Sequence, residues 1–305
     1  MKFAQIAKRV GLFIVVNLFV MVTLSIIAGF IFRHFHFQGY YRLMVWCLVW
    51  GMGGAFISLL LSRQMAKWMM GVQVIDPNTS NAEAQQLVQT VHQLARAAGL
   101  SHMPEVGYYE SPEVNAFATG PSQSRALVAV STGLLRNMRE GEVEGVLGHE
   151  ITHIANGDMV TMTLIQGVVN AFAMFLAWAL TIALSQSSRD DDDRPSIGGF
   201  GQYMMMQLFQ TVFLLLGSIV VAAFSRWREF RADAGGARLA GRDNMIAGLR
   251  RLQIIHEQGA DIIGPQKPAF QSLKISGKTS GLLALFATHP PIEQRIARLE
   301  NPTLS

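Results

Sequence analysis

His149-Glu150-Ile151-Thr152-His153 sets two imidazoles four residues apart with an acid between them. Residues four apart on a helix share a face, so both rings can grip one zinc ion. Glu150 follows the first histidine and can reach a water on the metal's open side, where it would serve as general base. The flanks favour a helix. Glu140, Glu142 and Glu144 precede the apolar turn Val146-Leu147, and negative charge early in a helix suits its dipole. Gly157-Asp158 offers a break after the second histidine. A hydrophobic segment starts at once, at Met159, which puts this candidate site beside a membrane.

The composition agrees with a membrane setting. Half of the 305 residues are hydrophobic and only 15% are charged, unlike an ordinary soluble protein. Residues 11–32, 43–61, 159–184 and 203–224 contain no charge. Each is close to or above the roughly 20 apolar residues that a bilayer requires. The first is too long, and too closely followed by the second, for a cleaved signal peptide.

Basic flanks give an orientation. Lys2, Lys8 and Arg9 precede the first span, Arg63 and Lys67 follow the second, and Arg226, Arg228 and Arg231 follow the fourth. The loop after the third span instead holds Asp190 to Asp193 between Arg189 and Arg194. Both termini and the metal motif are therefore expected in the cytoplasm. The net charge of +4 needs no nucleic-acid partner, because much of it flanks the spans and meets anionic lipid. Cys47 is the only cysteine. It permits no intramolecular disulfide and no thiolate site, leaving His and carboxylate as metal ligands.

Four segments follow from this pattern. Residues 1–62 carry two membrane helices, and residues 63–158 form the first part of a catalytic domain. Residues 159–224 make a membrane hairpin with an acidic loop at 185–202, and residues 225–305 supply the domain's second part. Ser80 and Glu83 fit a capping box ahead of Leu87, Val88, Val91, Leu94 and Ala95 at helical spacing, with Gly99 as the stop. Residues 104–110, 114–119 and 126–131 read as short strands. A Gly/Pro/Lys-rich loop follows near 264–280.

A zinc hydrolase needs three protein ligands and one open position. Glu229 and Asp233 are the candidates in the returning segment. They lie four apart on one helix face, so one can bind the metal while the other orients a histidine through its second nitrogen.

Three motifs together resemble the HtpX family of bacterial membrane zinc peptidases, relatives of the CAAX prenyl protease. They are Gly148 to His153, the run Arg228-Glu229-Phe230-Arg231-Ala232-Asp233, and Thr288-His289-Pro290-Pro291. Asn115-Ala116-Phe117-Ala118-Thr119-Gly120 matches a further stretch, and the likeness covers nearly the whole chain. It implies an α+β, mainly α, zincin-like metallopeptidase domain with about four transmembrane helices. It also implies one Zn2+ held by His149, His153 and Glu229, with Glu150 as catalytic base. Asp233 would stand behind the ligands, His289 would stabilise the oxyanion, and Arg295 falls on a neighbouring basic position. The substrates implied are unfolded or misassembled membrane proteins, cut during quality control under stress at the bacterial inner membrane.

Asn115, Ala116, Phe117 and Ala118 are expected to bind substrate as an edge strand, which offers main-chain hydrogen bonds with little regard to sequence. A prenyl-protein processing protease and a non-catalytic zinc-containing membrane chaperone are the alternatives, and the second has no use for Glu150. A transporter would need charges or broken helices near the bilayer midplane, and neither pattern is present. No feature specifies an oligomeric state.

Overall fold

The structure, a computed structural model, describes Ile26 and residues 39–187, 199–259 and 285–301. It is mostly helical with one small sheet. Three described helices are long and apolar enough to cross a membrane, within Tyr41–Met70, Asp158–Ser185 and Gly199–Ala240. The span expected at 11–32 lies outside the described residues apart from Ile26. So do the loop expected at 264–280 and residues 188–198 of the acidic loop, whose two ends prove helical.

The chain forms two compact units, one of Met1–Ser58 and Met162–Val221, the other of Leu59–Thr161 and Ala222–Ser305. In the first, helix α1 (Gly39–Met70) meets the long helix that begins at Asp158 through small residues. A Cβ at Gly51 would collide with the backbone of Ala171, so only glycine allows this approach.

The second unit is built on a four-stranded sheet in the order β1-β2-β4-β3. The strands are β1 (Gln73–Val74), β2 (Glu105–Tyr109), β3 (Ala116–Thr119) and β4 (Leu127–Ser131). β2 runs parallel to β4, whereas β3 is antiparallel to it with Phe117 opposite Ala129. Among the described residues β3 is therefore an edge strand. Its outer side follows from the alternation of an antiparallel ladder. Asn115 O accepts from Ser131 N at 2.9 Å, so Asn115, Phe117 and Thr119 turn their backbone groups to β4. Ala116 and Ala118 turn theirs outward.

Helices α2 (Ala82–Ala97), α4 (Glu140–Asn156), α7 (Arg242–Gly259) and α8 (Ile292–Glu300) enclose one face of the sheet, with the short α3 (Thr132–Asn137) after β4. Their apolar stripes supply Val91, Leu147, Ile151, Met245, Leu249 and Ile296 to a core shared with Val128 and Val130 of the sheet. The start of α2 corrects the expected cap. Asn81, not Ser80, is the N-cap, because its Oδ1 accepts from Ala84 N at 3.1 Å. With the cap one residue later, the third helical position is Ala84 and no box with Glu83 forms. Gly99 ends the helix as expected, in the left-handed region at φ 75°.

Candidate metal centre and active site

Helix α4 places the two histidines. Its start is capped by Glu142, whose Oε2 accepts from Arg139 N at 2.7 Å, and its end is set by Gly157 at φ 68°. Both rings are buried, His149 at 2% exposure and His153 at 8%. Helix α6 (Gly199–Ala240) brings the third donor. Glu229, Asp233, Gly236 and Ala240 share its buried stripe, and two glycines let it approach α4. A Cβ at Gly236 would stand 2.9 Å from the His149 amide nitrogen, and one at Gly235 would collide with Thr152.

The three candidate donors converge. His149 Nε2 and His153 Nε2 are 3.1 Å apart, and Glu229 Oε2 and Oε1 lie 3.3 and 3.2 Å from them. Four ligands in a tetrahedron with bonds of 2.0–2.1 Å stand about 3.3 Å from one another. The donor atoms of His149, His153 and Glu229 are thus close enough together to hold one metal ion.

Each histidine is oriented from behind. His149 Nδ1 lies 2.9 Å from Asp233 Oδ1, and His153 Nδ1 lies 2.6 Å from Asp158 Oδ2. A carboxylate accepts, so each Nδ1 carries the proton and each Nε2 presents its lone pair to the metal position. Arg295 of α8 is wholly buried and donates to Asp233 from Nε at 2.8 Å and from Nη2 at 2.5 Å. Burial opposes a charged His149, but its bonds to Asp233 and Glu229 prevail and raise its pKa from 6.5 to about 9. Glu229 thus faces both Nε2 atoms, and Asp233 lies against the Nδ1 side of His149.

Glu150 is buried, and its Oε2 accepts from Ala118 N at 2.8 Å. The acid is thereby held against the outer edge of β3. His289 Nδ1 donates to Glu229 Oε2 at 2.8 Å, while its Nε2 is buried with no hydrogen-bond partner among the described residues. Of the strand residues, Asn115 and Phe117 point inward. Asn115 Nδ2 donates to the Tyr109 hydroxyl at 3.0 Å, and the rings of Phe117 and Tyr109 are 5.8 Å apart. What this segment offers a ligand is the outward backbone of Ala116 and Ala118.

Three contributors escaped the sequence reading. Asp158 was read only as part of a helix break. Arg228 was read as a flanking charge, yet its Nη2 donates to Glu229 Oε1 at 3.2 Å. Arg226 was read the same way, yet its Nη1 donates to Leu285 O at 3.1 Å and to Ala287 O at 2.7 Å. A carboxylate five residues after a candidate ligand was the one available signal for Asp158. Arg228 opens the run that ends at Asp233, whereas nothing local marks Arg226.

Comparison with known proteins assigns the chain to a family. Residues 81–303 match Peptidase family M48. The chain is 48% identical to a protein named Protease HtpX homolog in Bacillus subtilis, covering 96% of this chain and 99% of that one. It is 50% identical to Protease HtpX of Aeromonas hydrophila, again over 96% of this chain and 99% of that one. Its fold is similar to the crystal structure of S. mikatae Ste24p, with a TM-score of 0.61 at 17% identity, covering 96% of this chain and 67% of that one. The chain belongs to Peptidase family M48, among the membrane metalloproteases of the HtpX type.

Proposed function

We propose that this metalloprotease is a zinc endopeptidase that cuts unfolded or misassembled membrane proteins at the cytoplasmic face of the bacterial inner membrane. In this reading residues 63–158 and 225–305 form one catalytic domain. The observation that carries it is the bond from Ala118 N to Glu150 Oε2. It sets a buried acid, next in sequence to His149, against the outer edge of β3, which supports docking of a peptide backbone there.

Zinc held by His149, His153 and Glu229 would supply Lewis acidity for the scissile carbonyl and its attacking water. The chain's own residues do the rest. An extended substrate pairs with the outward N–H and C=O groups of Ala116 and Ala118, which select backbone and not side chains. Its arrival displaces Glu150 from Ala118 N. Glu150 then takes the water's proton and passes it to the leaving amine. In its imidazolium form, with Nδ1–H on Glu229 and Nε2–H free, His289 would donate from Nε2 to the charge developing on the carbonyl oxygen, a contribution worth roughly 3 kcal/mol where such donors have been removed in other enzymes. Asp233, Asp158 and Arg295 keep the two imidazoles in the tautomer this chemistry needs.

Detergent-purified protein incubated with casein, and with a membrane protein lacking its partner subunits, tests the substrate class. Cleavage of both at several positions, lost with a strong chelator and restored by zinc, is expected. Trimming of a prenylated C-terminal peptide alone, with both proteins left intact, would contradict it.

A further inference from the structure

The segment carrying His289 is fastened along one stripe of α6. Arg226, Glu229 and Asp233 succeed one another at intervals of three and four residues, about one helical turn each. Arg226 binds the carbonyls of Leu285 and Ala287, Glu229 accepts from His289, and Asp233 accepts from Arg295. The pairing advances in the same direction on both sides, so the two stretches lie in register. Glu229 and Asp233 already belong to the metal site. Arg226 does not; its hydrogen bonds among the described residues go to the carbonyls of Leu285 and Ala287.

We propose that Arg226 is a positioning residue that sets His289 over the metal site. The inference rests on the catalytic role given to His289 above. Its two carbonyl partners lie four and two residues before His289. A single nitrogen, Nη1, reaches both at 3.1 and 2.7 Å, which fixes the path of the chain as it enters the histidine. On the far side, Pro290 and Pro291 lack amide protons and restrict the backbone, and Pro291 caps α8. The far side of His289 is therefore held by α8 and Arg295, and the near side by Arg226. Leu285 and Phe286 are 42% and 40% exposed, so little packing would hold that turn once the guanidinium is gone. Among the described residues His289 would then keep its bond to Glu229 alone, and its Nε2 would lose its aim.

A basic residue after a membrane span also serves orientation, and the two roles separate by experiment. A purely topological Arg226 affects insertion and yield, whereas a positioning Arg226 affects turnover in correctly inserted, metal-loaded protein. Full-length enzyme is purified as Arg226→Ala, Arg226→Lys, His289→Ala and the double variant Arg226→Ala/His289→Ala. Zinc content, Tm, kcat and KM on casein are measured for each.

Arg226→Ala is expected to keep its zinc and its KM and to lower kcat roughly tenfold to a hundredfold, the scale of a misplaced catalytic group. Arg226→Lys, which keeps a charged donor, is expected to recover part of that loss, and it carries the test if the alanine variant does not fold. In the His289→Ala background, Arg226→Ala is expected to have no further effect on kcat. An equal loss in both backgrounds, or an unchanged kcat in folded Arg226→Ala, would overturn the inference. Full turnover in His289→Ala would overturn the role of His289 itself and this inference with it. Loss there beside an unaffected Arg226→Ala would overturn this inference alone.

Discussion

Asp158 Oδ2 stands 2.6 Å from His153 Nδ1, and the left-handed turn at Gly157 makes the meeting possible. Asp158 opens α5 (Asp158–Ser187), so the first residue of a helix long enough to cross a membrane is also the brace of a candidate ligand.

Asp158→Ala is expected to weaken zinc affinity about 10- to 100-fold, as loss of such partners does elsewhere. Competition with a chromophoric chelator measures it. Turnover should return at high zinc, because the ligand itself remains. Unchanged affinity would show that His153 needs no brace.

Ala116→Pro tests the docking edge. The Ala116 N–H faces away from β4, so the ring removes no ladder bond and is tolerated on an edge strand. KM for unfolded substrates should rise several-fold, with zinc retained. Unchanged kinetics in folded, zinc-loaded protein would place the substrate elsewhere.

The two histidines, the acid between them and the pair Glu229/Asp233 were legible because a helix turns sequence spacing directly into a shared face. The three described spans were legible from their lack of charge, although the helices containing them run longer, to Met70, Ser187 and Ala240. The choice between Glu229 and Asp233 depends on how α6 crosses α4 at Gly235 and Gly236, which no local pattern encodes. Arg226 and Arg228 looked like membrane flanks because their partners are a carbonyl pair about 60 residues away and the neighbouring ligand itself. The two-residue strand β1 is too short to show alternation.

His149 gives the site a pH dependence. Without metal its pKa is about 9, raised from 6.5, so zinc must displace a proton below pH 9. Apparent affinity should rise about tenfold per pH unit from pH 7 and flatten near 9. Stability of the metal-free protein should run the other way. A raised pKa stabilises the fold fully below 6.5, and the contribution fades as pH climbs through 9. Affinity that stays flat from pH 7 to 9, in titrations by competing chelator, would contradict the assignment.

Orientation is open to labelling. With Cys47→Ser as background, a cysteine at Ser187, the last residue of α5, should react with an impermeant thiol reagent added outside the cell. One at exposed Ser124 should not. Labelling at Ser124 alone would reverse the topology.

The most direct test of the account is metal content and casein cleavage measured side by side for the parent protein, Glu150→Gln and Glu229→Ala. One zinc with cleavage is expected in the parent and one zinc without cleavage in Glu150→Gln, because the amide takes no proton and Glu150 is not a ligand. Glu229→Ala should show neither. Full zinc and full turnover in Glu229→Ala, or cleavage by zinc-loaded Glu150→Gln, would contradict the account.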